Sequence, residues 1–425
     1  MKKIFLPLAL VLAASTSPAA AKVTITCLTN AGHLSRQHEP LVKIFNEMQD
    51  DIVVQYAAPA KDYADTHLRL MRESATNTLP DCAFQAYNQL PSLVRALQGR
   101  SQIVDLGPLL ENEGAEWVKA NYSDRMLELG QVDGIQIGMP FNASVPQWYY
   151  NADLLKQAGY DPDKFPADWD GILELSARID ALGDNIQGMS FGVDQWGDDW
   201  PWQILITHQG GKVLDDSQTR VTFDENGYAL KAMELVKRLV DEGKYDPSIT
   251  LSDQMTAFTN GAMGIYANSP ASARNIHELV GDKFDLRSIK FTIIDDANGT
   301  LPTGGNAMLI TATDPDKIAA AWEYAKFLSG PQAQAITARN TGYLPTNVGA
   351  LGEDFLAPYY RENAFFATPI SGYDRAGLWQ GYPGTQSEKI WREQKSIVRS
   401  VMLGEMTPAD GADKMKAVAE ELMQR

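Results

Sequence analysis

The sequence has 425 residues, 37 of them Lys or Arg and 54 Asp or Glu, which gives a formal net charge of −17. This length suggests more than one domain, and a hydrophobic fraction of 44% indicates an ordinary globular chain. A strongly acidic protein repels nucleic-acid phosphates and anionic lipid headgroups, and no Lys/Arg-rich segment offsets that repulsion. The five histidines are scattered, without the i, i+4 pair of a zinc site. We therefore expect no nucleic-acid partner, no metal and no cofactor.

The N-terminus has the pattern of a secretory signal peptide. A basic head (Met1 to Lys3) precedes an apolar run (Ile4 to Ala14), and the small residues Ala19 to Ala21 form a cleavage signal. The apolar run is too short to cross a bilayer as a helix. We predict a signal peptide over residues 1–21, cleaved after Ala21, and a periplasmic mature protein.

Cys27 and Cys82 are the two cysteines of the chain. An oxidising compartment permits a disulfide between them. Both lie in strand-like segments, however, and neighbouring parallel strands seldom give good disulfide geometry. We expect two buried thiols, with the disulfide as the alternative.

The mature chain begins with strands and helices in alternation. The predicted strands are Val23 to Cys27, Asp51 to Tyr56 and Cys82 to Ala86. The helices between them are His38 to Met48 and Tyr63 to Thr76. Strands that alternate with amphipathic helices indicate a doubly wound α/β sheet.

Beyond residue 135 the pattern becomes more helical and includes segments that cross between two lobes. We expect crossings near Ile135–Tyr150, near Ala262–Tyr266 and near residue 330. The Gly304-Gly305 pair is predicted to form a turn before a strand at Met308 to Thr311. Further elements are the helices Ala152–Ala158, Trp169–Leu182, Trp200–Thr207, Tyr228–Asp241, Asp316–Ser329, Glu388–Met402 and Thr407–Gln424, and an alternating segment at Phe291–Ile294.

Several short motifs, in this order along the chain, resemble one known family. They are Leu79-Pro-Asp81, Pro140-Phe-Asn-Ala-Ser144, Trp148-Tyr-Tyr-Asn151, Phe258-Thr-Asn-Gly261, Gly304-Gly305-Asn306 and Thr341-Gly-Tyr343-Leu-Pro345. Each is weak alone, but their order over residues 23–425 resembles the family 1 extracellular solute-binding proteins, the periplasmic receptors of ATP-driven carbohydrate importers. Within that family the chain looks most similar to the glycerol-3-phosphate receptors.

The resemblance implies a periplasmic-binding-protein type II fold, with two doubly wound α/β lobes joined by hinge crossovers around a ligand cleft. The expected first lobe comprises residues 22–138 plus 268–330, and the second comprises 139–267 plus 331–425. Ligands of open α/β sheets bind beyond the carboxyl ends of the strands, so the cleft is expected there.

The resemblance also implies a set of ligand-binding positions. Residues of the expected type occur at Tyr63, Ser144, Ser269, Gly305 and Tyr343, and at the cleft residue Trp200. Two positions depart from the family pattern: Asn88 stands where the family has an acidic residue, and Trp379 stands where it has the arginine that binds phosphate. Loss of that arginine removes a charge-assisted contact, although the nearby Arg375 could substitute.

The residue types themselves indicate carbohydrate recognition, since aromatic planes cover sugar C–H groups while amides and hydroxyls bind sugar hydroxyls. Trp196 and Trp200 lie in one Gly/Pro-rich segment, and Trp379 and Tyr382 in another. Gly304 and Gly305 could present backbone N–H groups to a ligand. Asp198 and Asp199 could bind hydroxyls, but we expect them to be solvated loop residues.

We therefore predict a monomeric, non-catalytic periplasmic receptor that delivers a neutral sugar or polyol to an inner-membrane ABC permease. The main alternative is a glycerol-3-phosphate or glycerophosphodiester receptor of the same family. A ferric-iron receptor using Tyr149-Tyr150 or Tyr359-Tyr360, and a secreted glycosidase, are minor alternatives. The Gly188-x-Ser190-x-Gly192 motif lacks the strand–turn–helix context of a nucleophile elbow.

Overall fold

The computed structural model describes residues 22–384 and 386–424. The predicted signal peptide over residues 1–21 therefore lies outside the described residues. Within the described ranges, no helix combines the length and the apolar character that a bilayer crossing requires.

The strands form two main sheets and two small two-stranded ones. The strands are β1 (Val23–Leu28), β2 (Ile52–Tyr56), β3 (Cys82–Ala86), β4 (Gln131–Val132), β5 (Ile135–Gln136), β6 (Gly138–Ser144), β7 (Gln147–Asn151), β8 (Gln187–Ser190), β9 (Met263–Asn268), β10 (Leu286–Lys290), β11 (Leu301–Pro302), β12 (Gly304–Ile310) and β13 (Ala376–Gly377). The five-stranded sheet has the order β2-β1-β3-β12-β6, the four-stranded sheet the order β10-β7-β9-β8, and the small sheets pair β11 with β13 and β4 with β5.

Helices surround both main sheets. The α-helices are α1 (Ala31–His33), α2 (Glu39–Met48), α3 (Tyr63–Thr76), α4 (Leu90–Gln98), α5 (Gly107–Glu113), α6 (Ala115–Asn121), α7 (Asp124–Glu128), α8 (Ala152–Gln157), α9 (Trp169–Asp180), α10 (Trp200–Thr207), α11 (Tyr228–Asp241), α12 (Leu251–Thr259), α13 (Ala273–Val280), α14 (Pro315–Leu328), α15 (Pro331–Thr341), α16 (Ala357–Glu362), α17 (Ala364–Ala367), α18 (Ser387–Met402) and α19 (Pro408–Met423). A π-helix (Leu34–His38) and the 3-10 helices Tyr87–Gln89, Glu225–Gly227, Pro270–Ser272, Val348–Leu351 and Thr368–Arg375 complete the set.

In the five-stranded sheet, β1 pairs in parallel with β2 and β3, whereas β12 runs antiparallel between β3 and β6. Every residue of β3, β6 and β12 is buried, as expected for strands covered by helices on both faces. We call this sheet and the elements packed on it the first lobe. The mixed α/β architecture predicted for the chain is confirmed.

The four-stranded sheet joins β7 to β9 and β10 in antiparallel pairs and adds β8 parallel to β9. Helices α9, α10 and α11 belong to this half, and α18 and α19 pack on α11. We call this group the second lobe. The chain passes between the lobes at β6–β7, and the small β11–β13 pair lies where two further passages run side by side.

Local sequence signals locate several helices to the residue. Helix α3 spans Tyr63–Thr76 as predicted, since the Asp62 side chain accepts from the Asp65 backbone N–H and left-handed Asn77 ends the helix. Helix α10 also has its predicted bounds, Trp200–Thr207. At the C-terminus, Thr407 caps α19 through the backbone N–H of Asp410, with Pro408 in the first turn.

Two local predictions are wrong. Gly304 and Gly305 open strand β12 instead of forming a separate turn, because Gly305 adopts φ +118° within the strand and a bulge follows at Asn306/Ala307. The alternating segment at Phe291–Ile294 is not a strand. The pairing with β7 falls on Leu286–Lys290 instead.

The predicted lobe boundaries also differ from the sheets at three places. Residues 139–144 belong to β6 of the first lobe, and residues 286–290 form β10 of the second, the reverse of the prediction. Helix α15 packs on the first lobe, where Gln334 Nε2 donates to the Phe141 carbonyl oxygen at 2.7 Å. The chain crosses between the lobes at several points, and a strand near a crossing can pair with either sheet. Composition alone does not decide which sheet it joins.

Cys27 and Cys82 form a disulfide, so the expectation of two free thiols is wrong. The two residues are direct partners in the β1–β3 ladder, and their Cα atoms are 4.5 Å apart. In-register residues on neighbouring strands direct their side chains to the same face. The separation falls within the range that a disulfide spans.

Candidate functional site

Polar residues meet where the central strands of the first lobe end. Asn306 of β12 is opposite Asn142 of β6 on one side and Ala86, the last residue of β3, on the other. Gly304 is opposite Ser144 at the end of β6. Three adjacent strands therefore bring these residues to one edge of the sheet, which is where an open α/β sheet binds its ligand.

A chain of hydrogen bonds orders the amides at this edge. The Asn306 side-chain amide donates to the Tyr63 hydroxyl at 2.9 Å, and its backbone N–H donates to Asn142 Oδ1 at 3.1 Å. Asn142 Nδ2 donates to Gln37 Oε1 at 2.7 Å, and Gln37 Nε2 bonds His33 Nδ1 at 2.9 Å. Each amide is thereby fixed in one orientation, which prepares the site before a ligand enters.

Three rings cover this network. The His33 ring lies 5.3 Å from Tyr63 and 5.9 Å from Tyr343, measured between centroids. Burial lowers the pKa of His33 to about 4, so the ring is neutral at pH 7. Because Gln37 donates to Nδ1, the proton of the neutral ring is on Nε2, which can donate to a ligand. Burial likewise raises the pKa of Tyr63 and Tyr343, so both hydroxyls stay protonated.

Several buried polar atoms of this region have no hydrogen-bond partner among the described residues. They are Thr29 Oγ1, Asn88 Oδ1, Gln147 Oε1 and Nε2, Thr303 Oγ1 and Asn306 Oδ1. Asn88 is only 3% exposed and lies in the 3-10 helix that follows β3. A buried amide or hydroxyl without a partner costs about 1–3 kcal/mol, so a ligand hydroxyl that bonded these atoms would gain that free energy.

Indole rings from the second lobe face this edge. Trp196 lies 5.2 Å from Trp200, and Trp200 lies 6.4 Å from Trp379, between ring centroids. The Trp200 indole N–H donates to the Pro302 carbonyl oxygen at 2.7 Å and so lies beside the crossing strand β11. A pocket lined by Trp196 and Trp200 also includes Pro146 and Asn268, which places it at the β6–β7 crossing.

The two lobes are in contact at Gly304. A Cβ atom added there would lie 2.8 Å from Ser144 Oγ and 3.6 Å from Trp200 Cε2. Gly305 is also a close approach, since an added Cβ would lie 2.2 Å from the Asn142 carbonyl oxygen. Both close approaches, to Ser144 and to Asn142, are within the first lobe, so the glycine pair lets β12 pack tightly against β6 beside Trp200.

Two carboxyl groups lie beside the indoles, and the expectation that both are solvated is wrong. Asp199 is 3% exposed, and its oxygens accept from the Trp379 indole N–H at 3.1 Å and from Gln203 Nε2 at 2.8 Å. Burial, with a smaller contribution from the nearby Asp198 charge, raises the pKa of Asp199 to about 7. Burial raises the pKa of Asp198 to about 6. The negative charge that the two groups carry when the pH exceeds these pKa values disfavours an anionic ligand at this position.

The predicted residue Ser269 follows β9 and caps a 3-10 helix, where its Oγ accepts from the Ala271 backbone N–H at 3.1 Å. Its carbonyl oxygen accepts from the Tyr149 hydroxyl at 3.0 Å. It directly follows Asn268, which lines the Trp196–Trp200 pocket. Ser269 therefore lies close to the indole cluster, but both of its oxygens already accept hydrogen bonds from neighbouring protein groups.

Tyr382 differs from the other predicted residues. It is 1% exposed, and its hydroxyl bonds Gln394 Nε2 of α18 at 2.6 Å. This hydroxyl therefore serves the packing of the second lobe. The other predicted positions (Tyr63, Asn88, Ser144, Gly304, Gly305, Tyr343, Trp196, Trp200 and Trp379) lie at the polar edge or in the indole cluster, as described above.

Sequence analysis missed His33, Gln37, Asn142, Asn306 and Gln147. Two of these residues could have been found from the sequence. Asn142 and Asn306 are polar residues in otherwise apolar buried strands, close to Ser144 and Gly305. A polar residue in such a strand needs a partner. For His33 and Gln37 the sequence carries no comparable signal, because the π-helix that turns them toward β6 is not visible in the pattern.

The side chains on which the phosphate, enzyme and iron interpretations depend are hydrogen-bonded to other groups. Arg375 donates to the carbonyl oxygens of Asp296 and Gly299. Ser190 is 1% exposed and its hydroxyl donates to Gln254 Oε1. The tyrosines of both adjacent pairs are distributed among separate partners: Tyr149 and Tyr150 donate to the carbonyl oxygens of Ser269 and Pro162, and Tyr359 accepts from Arg274.

A family model described as bacterial extracellular solute-binding protein matches residues 40–362, about three quarters of the chain. The chain belongs to this family. It is a solute-binding protein of an ABC transporter, and the predicted resemblance is confirmed.

Known proteins resemble this solute-binding protein in sequence or in structure over most of its length. The sn-glycerol-3-phosphate-binding periplasmic protein UgpB of Brucella abortus is 22% identical over 338 residues, which is 78% of this chain and 76% of that protein. The crystal structure of UgpB from Mycobacterium tuberculosis in complex with glycerophosphocholine has a TM-score of 0.79 at 18% identity, covering 96% of this chain and 99% of that one. Lmo0181 of Listeria monocytogenes, in complex with cycloalternan, also has a TM-score of 0.79 at 18% identity, covering 95% and 100%.

Proposed function

We propose that this solute-binding protein is a monomeric periplasmic receptor for a neutral sugar or polyol, which it passes unaltered to an inner-membrane ABC permease. The observation that carries this proposal is the opposition of an indole cluster on one lobe to an ordered amide and hydroxyl edge on the other. Sugars present C–H faces and hydroxyl edges together, and this pair of surfaces complements both.

The charges around the site support a neutral ligand. Trp379 replaces the phosphate-binding arginine of the family pattern, and its indole N–H is bonded to the buried Asp199 carboxyl group. The network residues His33, Gln37, Asn142 and Asn306 are uncharged at pH 7. Phosphate recognition normally relies on charge-assisted hydrogen bonds, and Arg375 supplies its own to backbone oxygens elsewhere.

Hinge motion would couple binding to delivery. Residues of the first lobe meet Trp200 of the second at Gly304, so a ligand between them contacts both lobes only when the protein is closed. Such a ligand shifts the open–closed equilibrium towards the closed form. The size of the shift is set by how much more tightly the ligand binds the closed form than the open form. The parallel β11–β13 pair, Leu301–Pro302 with Ala376–Gly377, is the candidate hinge.

The second candidate is a glycerol-3-phosphate or glycerophosphodiester receptor. It is favoured by the names of the relatives, and by Tyr63, Ser144, Ser269, Gly305 and Tyr343, which keep the expected residue types. Because Asp198 and Asp199 lie beside the position where the phosphate would be held, we place it second.

Catalysis and iron binding are less well supported. The Ser190 hydroxyl is bonded to an amide, and the hydroxyls of Tyr149, Tyr150 and Tyr359 are bonded to three separate groups. We therefore propose a protein that releases its ligand chemically intact, which fits a family of binding proteins.

The test is a thermal-shift screen of the purified mature protein against sugars, polyols and their phosphate esters. A ligand at 100 times its Kd stabilises the native state by about 2.7 kcal/mol, which is readily detected. We expect neutral compounds to raise the melting temperature and to be recovered unchanged after long incubation. Stabilisation by phosphate esters alone would overturn the neutral-ligand proposal in favour of the second candidate.

A further inference from the structure

A cavity of about 470 Å³ lies beside the candidate site, between the two lobes. Its first-lobe wall comes from α3 and α4, and its second-lobe wall comes from Gly384 and the first turns of α18. The volume falls within the range of roughly 300–1,000 Å³ that is typical of small-molecule pockets. Nothing in the function proposed so far uses this cavity.

Two lining residues place the cavity next to the candidate site. His67 lies one helical turn after Tyr63 on α3, so the two side chains share a helix face. Gln89 directly follows Asn88. The cavity therefore adjoins the first-lobe part of the candidate site.

Four residues of the cavity wall carry a buried polar atom that has no partner among the described residues. These atoms are His67 Nδ1, Gln89 Oε1, Glu388 Oε1 and Trp391 Nε1. Trp391 is 3% exposed and Gln89 is 5% exposed, so both side chains are almost fully buried. An indole N–H can only donate and an amide oxygen can only accept, so a ligand that satisfies both must donate and accept, as a hydroxyl does.

The cavity is nearly neutral and partly apolar. Arg95 and Glu388 bring opposite charges, and burial lowers the pKa of His67 to about 4, which keeps that ring uncharged at pH 7. Met71 and the half-exposed Leu68 add an apolar surface on α3. A second neutral unit with hydroxyl edges and C–H faces fits this lining, whereas a lone anion or cation does not.

We propose that this cavity is a second subsite, held by Gln89 and His67 of the first lobe and by Glu388 and Trp391 of the second, so that the ligand is at least a disaccharide. This inference rests on the proposed function and deepens it, since it specifies the size of the neutral ligand. The second unit is gripped by both lobes, so it adds to the preference for the closed form.

The test is isothermal titration of the wild-type protein with monosaccharides and their disaccharides: glucose against maltose, cellobiose, isomaltose and trehalose, and galactose against melibiose. We expect at least one disaccharide to bind tenfold or more tightly than its own monosaccharides. The Trp391→Phe change removes the indole N–H and keeps an aromatic ring, and it should weaken that disaccharide at least fivefold without changing the affinity of the monosaccharide. Glu388→Ala, near the start of α18, is the second variant and does not depend on core packing.

Lys389→Ala is the matched control, because Lys389 is the exposed neighbour of Glu388 on the same helix. It should leave both affinities unchanged. Equal affinity for the short and long sugars, or an equal loss of both in Trp391→Phe and in Glu388→Ala, would overturn the subsite while leaving the proposed function intact. Absence of binding by every sugar in the panel would overturn the subsite, whereas the proposed function is overturned only when the thermal-shift screen finds stabilisation by phosphate esters alone.

Discussion

The backbone oxygen of Asn88 fills the space in which a side chain at Gly381 would begin. A Cβ atom added at Gly381 would lie 2.0 Å from that oxygen and 3.4 Å from Pro91 Cδ. Asn88 belongs to the first lobe, and Gly381 follows Trp379 in the second-lobe loop. The lobes can approach this closely beside the candidate site only because residue 381 has no side chain.

Gly381→Ala should therefore hinder closure without unfolding either lobe. We expect ligand affinity to fall roughly tenfold or more, because a ligand gains its contacts with both lobes only in the closed form. Titration calorimetry measures the affinity, and small-angle scattering with saturating ligand measures the remaining closure. Gly197→Ala is the control, since a Cβ there meets no atom within 4 Å. Equal affinities of the two variants would contradict this reasoning.

Trp379 is the residue that most clearly separates this site from a phosphate site. Replacement of Trp379 by Ala removes the ring that lies 6.4 Å from Trp200 and the donor that bonds Asp199. We expect sugar affinity to fall roughly tenfold or more, as for a buried aromatic hot spot. Competition binding measures the loss. Leu378→Ala, which alters a side chain that is 45% exposed, should bind like the wild type. An unchanged Kd in Trp379→Ala would remove the indole cluster from the site.

The positions of many helices and strands could be predicted, because they depend on signals from neighbouring residues. Helix α3 has a cap at Asp62 and a left-handed end at Asn77, which are properties of a few neighbouring residues. The family motifs likewise marked Tyr63, Ser144, Gly305 and Tyr343, which the structure places at one edge.

What could not be predicted depends on contacts between distant segments. The Asn142–Gln37 bond joins residues 105 positions apart, and β10 (Leu286–Lys290) pairs with the distant strand β7 (Gln147–Asn151). Asp199 was expected to be a solvated loop residue. In the structure its carboxyl group accepts from Trp379, which is 180 positions away in the sequence, and from Gln203, one helical turn later. Local patterns carry no information about such long-range packing.

The Cys27–Cys82 disulfide should stabilise the protein without affecting its binding. Closing a loop of 55 residues contributes about 4 kcal/mol in the chain-entropy description. The double change Cys27→Ala with Cys82→Ala should lower the melting temperature by about 5 °C for a chain of this size. Scanning calorimetry checks this, with dithiothreitol-treated wild type as a second measurement. Sugar affinity should stay within about twofold, because both cysteines lie inside the sheet and before the strand ends that form the site.

Asp199 should make part of the stability depend on pH. Its pKa is raised to about 7 in the folded protein, chiefly by burial and then by Asp198. Between about pH 4 and pH 7 the native state therefore binds more protons at this group than the unfolded chain, so the stability that it contributes is lost as pH rises through that window. Asp198, with a pKa of about 6, acts in the same direction, and the neighbouring Lys395 lowers the pKa of Asp198.

Histidines oppose this trend, since burial lowers the pKa of His33 and His208 to about 4 and their stabilisation is lost as pH falls below about 6.5. A comparison with Asp199→Asn separates the two effects, because the histidines are common to both proteins. We expect the melting temperature of Asp199→Asn, relative to wild type, to rise by about 2 °C or more between pH 5 and pH 8. The Asn amide also faces Gln203, and any change in melting temperature that this contact causes is the same at every pH. Asp50→Asn, whose side chain is 99% exposed, controls for the loss of one negative charge. A difference that stays flat across this range would mean that Asp199 is ionised in the folded protein at pH 5 and that burial does not raise its pKa.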